Sequence, residues 1–180
     1  MKRAEALLFR FLEFLIVLLL IGMVGMVFTN VVLRYAFNTG LLISEELSRF
    51  FFVWLTFIGA VIVSREHGHL GVDMLVSKFS LNGRRIAMII TDLLILFTTW
   101  VLFDGTLRQH GINATTTSPV SGMNMGVVYG IVYFSAVGIG LITLARLYRA
   151  LTGKLSAAEL DRFAGRVDED VTHTAKGHLE

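Results

Sequence analysis

The sequence predicts an all-α integral membrane protein with four transmembrane helices and a short amphipathic helix lying in the cytoplasmic interface. Three observations predict it. Four apolar stretches, beginning near Phe14, Leu47, Ile86 and Val127, are long enough, or nearly so, to cross about 30 Å of hydrocarbon as helices of roughly 17–25 residues. The 180-residue chain is 54% hydrophobic with a mean hydropathy of +0.69, which would leave a soluble domain covered in apolar patches. Lys and Arg fall almost wholly on alternate sides of the apolar stretches. Hydrocarbon demands that backbone groups be satisfied within the spanning element. Four isolated strands could not close a barrel, so the stretches are helices.

The first span covers residues 11–33. Met1-Lys2-Arg3 ahead of it resembles the start of a secretory signal, but the apolar run is too long and lacks a small-x-small cleavage site, so it reads as a retained signal-anchor. The second, third and fourth spans cover residues 47–63, 86–103 and 127–144. Lys2, Arg3 and Arg10 precede the first span; Arg65, Lys78, Arg84 and Arg85 lie between the second and third; Arg146, Arg149, Lys154, Arg162, Arg166 and Lys176 follow the fourth. Only Arg34, Arg49 and Arg108 lie on the other side. The positive-inside rule then places both termini and the second loop in the cytoplasm.

Residues 1–152 are thus expected to form the membrane domain and residues 153–180 a cytoplasmic tail. Val72, Leu75, Val76 and Phe79 follow helical spacing, with Asp73, Ser77 and Lys78 opposite. This fits a helix over about residues 70–80 in the interface, or an ordinary loop helix packed on the spans. The stretch from Gly105 to Gly126 is rich in Thr, Ser, Asn and Gly and holds the one proline, Pro119; it is expected to be an irregular outer loop. In the tail, Ser156 to Glu159 offers a capping box for a short helix, with disorder expected after it.

The composition excludes several kinds of chemistry. There is no cysteine, hence no disulfide or thiolate site. His67, His69, His110, His173 and His178 lie outside the spans, where they could not serve as axial haem ligands within a helix bundle. No phosphate loop, metal-spaced cluster or nucleophile–base motif is present, and no cofactor is expected. The chain is not read as an enzyme. No internal repeat of the kind that builds self-sufficient transporters appears.

Charged groups within spans are the natural functional candidates. Asp92 lies about two turns into the third span. It either ties helices together by meeting a cation such as Arg84 or Arg85, or acts as a titrating carboxylate. Glu13 lies early in the first span, and Asp104 at the end of the third. At the start of the second span, Ser44 reads as an N-cap followed by Glu45 and Glu46. Glu45 and Arg49 can pair at i, i+4, which leaves Glu46 to reach Arg34 on the preceding span. Tyr35 suits an interface. Ser118, Gly122, Gly126 and Gly130 repeat at four-residue spacing and, with Gly59-Ala60, offer faces for close helix approach.

The run Asn30-x-x-Leu33-Arg34-Tyr35, then Ser44-Glu45-Glu46-Leu47-Ser48-Arg49-Phe50, Trp54-Leu55-x-Phe57-x-Gly59-Ala60 and Arg65-x-x-Gly68-His69-Leu70-x-Val72-Asp73 resembles the small membrane (permease) subunit of tripartite ATP-independent periplasmic (TRAP) transporters. The resemblance is close from Asn30 to Asp73. Ile43 departs from it where the family often carries Trp, which weakens an interfacial anchor. The resemblance implies a non-catalytic scaffold subunit in secondary active transport. Its partners would be a large membrane subunit that carries the substrate and sodium sites and a periplasmic binding protein that delivers an organic acid, a dicarboxylate or a sugar acid. Membrane lipids are further partners. Arg34, Glu45, Glu46 and Arg49 would fix the extracytoplasmic end, and His69 and Asp73 would serve the cytoplasmic interface. The rivals are a self-sufficient four-span transporter using Glu13 or Asp92 and a membrane anchor of another complex.

Overall fold

Apolar segments that must satisfy their own backbone hydrogen bonds form helices. The computed structural model describes residues 2–66 and 80–152 and contains four long ones among them: α1 (Lys2–Phe37), α2 (Leu42–Glu66), α3 (Leu81–Thr115) and α4 (Met125–Leu151). Each is long and apolar enough to cross a membrane. The proposed interfacial helix, with His69 and Asp73, and the tail helix lie outside the described residues. Between 11% and 28% of each apolar window is buried, so most apolar side chains face outward. In water such a surface would aggregate, whereas in lipid it is at rest.

The helices overrun the hydropathy spans. At 1.5 Å per residue, the 36 residues of α1 reach about 54 Å, well beyond about 30 Å of hydrocarbon. The largest departure is in the stretch expected to be an irregular loop from Gly105 to Gly126. There α3 continues to Thr115, and only residues 116–124 connect it to α4. Small polar residues lower hydropathy without breaking a helix. Thr106 and Thr115 donate their hydroxyls back to the Leu102 and Gly111 carbonyls, and Arg108 pairs with Asp104 one turn earlier at 2.7 Å.

The chain divides into two compact units. The first comprises residues 1–62 and 101–138 and buries Leu19, Ile58, Val61, Val128, Val132 and Ala136. The second comprises residues 63–100 and 139–180; its described part buries Met88, Leu147 and Ala150 with Arg84, Asp92, Thr143 and Arg146.

In the first unit, two tight connections set the ends of the helices. After α1, Asn38 takes the left-handed conformation at φ 51°, which Asn tolerates better than most residues, and the Thr39 N–H returns to the Leu33 carbonyl at 3.1 Å. Between α3 and α4, the Ser118 N–H meets the Met123 carbonyl at 2.9 Å and the Met125 N–H meets the Thr116 carbonyl at 3.0 Å. Gly122 supplies the positive φ of 68° that this turn needs. Asn124 ties the connection at both ends: its Oδ1 accepts the Gly126 N–H as an N-cap of α4, and its Nδ2 donates to the Ala114 carbonyl of α3.

Candidate functional site

Asn30 organises the α1–α2 end of the first unit. It is buried and uses both arms of its amide. Oδ1 accepts the Leu41 N–H at 2.8 Å, just before the start of α2, and Nδ2 donates to Glu45 Oε1 at 3.2 Å. Arg34 Nη2 donates to the same carboxylate oxygen at 2.7 Å. The helix starts at Leu42, so Ser44 is not its N-cap. Ser44 instead donates across to the Met26 carbonyl of α1 at 2.8 Å, and the orphan N–H at the start of α2 is met by Asn30.

The acid partners also differ from the expected ones. Glu45, not Glu46, pairs with Arg34, and the carboxylate of Glu45 turns to α1 rather than along α2 to Arg49. Successive helical residues point about 100° apart, so Glu46 faces a different neighbour. It is buried, at 3% exposure, and its Oε2 accepts the Ser121 N–H of the α3–α4 connection at 2.8 Å. Arg49 and Tyr35 are exposed. The Arg34–Glu45 pair is itself half to two-thirds exposed and so contributes little alone, about 0–1 kcal/mol. Asn30 contributes more, because its loss strands a backbone donor. Asn30→Ala is expected to destabilise by about 1–3 kcal/mol and Arg34→Gln by less; melting of the purified chain in detergent, read by fluorescence, checks that order.

Deeper in the same unit, Trp54 Nε1 donates to the Val128 carbonyl at 2.9 Å, and the Ser135 hydroxyl is 3.0 Å from the Phe57 carbonyl. These bonds join α2 to α4. The small-residue stripe does not form one face: Ser118 and Gly122 lie in the connection, and only Gly126 and Gly130 are in α4. A Cβ on Gly126 would sit 2.8 Å from Asn124 Oδ1 and 3.4 Å from Ala114 Cα, so close approach is real there; one on Gly130 would meet nothing within 4 Å. Gly59 is not tight either, with Ile16 Cδ1 at 3.8 Å. Close approach recurs at Gly22, against Phe51 at 3.0 Å, and at Gly138, against Val61 at 3.3 Å. Isolated glycines in apolar runs were the one available signal for them.

In the second unit, Asp92 accepts Arg146 Nε on Oδ1 at 2.8 Å, and Arg146 Nη2 reaches the same oxygen. The pair is 0% and 2% exposed, and Asp92 Oδ2 has no hydrogen-bond partner. Asp92 therefore meets neither Arg84 nor Arg85 by an ion pair of this kind. Arg85 is turned to the end of α4, where Nε donates to the Ala150 carbonyl at 2.8 Å and Nη2 to Leu151 at 3.1 Å. It satisfies carbonyls that the helix leaves open and complements the negative end of the dipole. Arg146 lay past the predicted end of the fourth span at Leu144, and its partner lies 54 residues away, so no local spacing announces the pair. Arg65 lies in the last turn of α2. Glu13 is exposed on α1. Among the described residues, no group of three or more His, Cys, Asp or Glu side chains could hold a metal ion.

Comparison with known proteins bears on what such an arrangement is for. The family model of the DctQ component of tripartite ATP-independent periplasmic transporters matches residues 23–153, which takes in both the Asn30 cluster and the Asp92–Arg146 pair. A TRAP transporter small permease protein of Haemophilus influenzae is 38% identical over 136 residues, covering 76% of this chain and 84% of the relative. A second from the same organism is 32% identical over 133 residues, covering 74% and 81%. The C4-dicarboxylate TRAP transporter small permease protein DctQ of Vibrio cholerae is 25% identical over 187 residues, covering 93% and 81%.

Proposed function

The chain belongs to the DctQ-component family of tripartite ATP-independent periplasmic transporters, and from that premise we propose that it is the static scaffold subunit of a sodium-coupled organic-acid uptake system. It is a transporter component, not an enzyme. It steadies a large membrane subunit that carries the substrate and sodium sites, and it offers part of the surface on which a periplasmic binding protein docks. The name of the Vibrio cholerae relative, which specifies C4-dicarboxylates, supports a carboxylate cargo. The Lys and Arg distribution supports an inner-membrane orientation with both termini in the cytoplasm, which puts the α1–α2 turn and residues 116–124 on the periplasmic side.

The observation that carries this reading is the closed Asp92–Arg146 pair. A carboxylate that moves ions must exchange with water, and Asp92 is wholly buried against a guanidinium. It holds α3 to α4 within the second unit, as a scaffold requires. Glu13 and Asp92 were the candidate carboxylates for transport by this chain alone. Sodium-driven uptake of dicarboxylates and sugar acids into proteoliposomes is expected only when this chain, the large subunit and the binding protein are all present. Uptake by this chain alone would replace the scaffold with a self-sufficient transporter.

A further inference from the structure

Charge on the sparsely basic side of the chain is unevenly placed. Of the three arginines there, Arg108 is paired with Asp104 one turn away, while Arg34 and Arg49 line two neighbouring recesses between α1 and α2. The recess at Arg49 has a volume of about 500 Å³ and is lined by Met23, Val27, Phe28, Val31 and Phe52 together with Arg49. Val27 and Val31 also line a second recess of about 240 Å³, which carries Asn30, Arg34 and Glu45. The two recesses share a wall, so an apolar trough runs into a charged one. Arg49 has no acidic partner among the described residues. Glu45 offsets Arg34, which leaves one uncompensated positive charge beside the trough.

We propose that this groove is a binding site for an anionic phospholipid, its phosphodiester held between Arg34 and Arg49 and one acyl chain lying on Val27, Phe28, Val31 and Phe52. The order of surfaces along the helices is the order of parts along a lipid: Arg34 and Glu45 lie nearest the helix ends, Arg49 follows two turns into α2, and apolar side chains make up most of the rest of its recess. A net single positive charge suits a headgroup of net charge minus one better than a zwitterion, whose net charge is zero. Such a lipid fills the trough between α1 and α2 and screens two arginines on the side of the membrane where the positive-inside rule disfavours them. The site stands apart from the scaffold reading and needs only that the chain be a membrane protein.

Native mass spectrometry of the full chain in detergent tests it, with phosphatidylglycerol, phosphatidylethanolamine and phosphatidylcholine of matched acyl chains added in turn. Phosphatidylglycerol is expected to be retained about fivefold or more over the other two, near the effect of one basic residue at a lipid surface. Arg49→Gln, which breaks no hydrogen bond within the fold, should abolish that preference, and Arg34→Gln/Arg49→Gln should do so as well. The chain has no native cysteine, so Val27→Cys labelled with a fluorophore gives a second readout. Quenching by dibrominated phosphatidylglycerol should exceed quenching by dibrominated phosphatidylethanolamine. Equal retention of the three lipids, or a preference untouched by Arg49→Gln, would overturn the proposal. So would protection of Val27→Cys from labelling by the large subunit in the assembled complex, which would show the groove to be filled by protein.

Discussion

Asp92→Ala is expected to destabilise the protein by roughly 3–5 kcal/mol, the range for removing one partner of a buried ion pair. The cost arises from what remains. Arg146 keeps its charge, stays 2% exposed and loses the carboxylate that accepts two of its N–H groups. Asp92→Asn should fall in the same direction with a smaller loss, since an amide oxygen still accepts but no longer neutralises. Asp92→Leu combined with Arg146→Met should recover most of the stability, because replacing both charges removes the desolvation penalty along with the attraction. Thermal midpoints of the three variants in detergent, set beside uptake by the assembled transporter, decide the role of Asp92. A large loss of stability rescued by the apolar pair marks a tie between α3 and α4. Unchanged melting with abolished uptake in Asp92→Asn would restore Asp92 as a titrating carboxylate.

That pair also shows where sequence reasoning reached its limit. The four apolar helices were legible because hydrocarbon imposes a length and an apolar content that few soluble segments share. Helix ends were not, because hydropathy reports the thickness of the membrane and not the end of the hydrogen-bond ladder. Arg146 therefore looked like a flanking cation when it lies inside α4, and residues 105–115 looked like loop when they complete α3. At the α1–α2 end, Asn30, Arg34, Glu45 and Glu46 were all recognised as important. Their pairing came out one residue wrong, and the helix start was wrong too: an N-cap at Ser44 would begin the helix at Glu45, whereas α2 begins at Leu42, three residues earlier. Adjacent helical residues point about 100° apart, so Glu45 faces α1 and Glu46 the α3–α4 connection. The contact of Asn30 with Leu41 had no signal at all, because a side chain capping another helix leaves no spacing pattern in the sequence.

Glu46 is the residue on which the α3–α4 connection should depend most. Its carboxylate is buried and accepts the backbone N–H of Ser121 from 75 positions away, so it ties that loop to α2. Glu46→Ala leaves that donor without its acceptor and is expected to cost about 1–3 kcal/mol. Glu46→Gln keeps an oxygen in place and should cost less, whereas Glu46→Arg puts a cation into a buried site and should cost at least as much as the alanine. Local opening is the sharper readout. Hydrogen exchange across residues 116–124 should accelerate about tenfold in Glu46→Ala if roughly 1.4 kcal/mol of protection is lost. Glu45→Ala, one residue away but facing Arg34 and Asn30, should leave that segment unchanged while loosening the α1–α2 turn. Exchange in Glu46→Ala no faster than in the wild type would remove the latch role. If the loop loosens while complex yield stays normal and uptake falls, the ordered connection is what the binding protein needs on its side of the membrane. Loss of complex yield together with loop protection would instead place Glu46 in the hold on the large subunit.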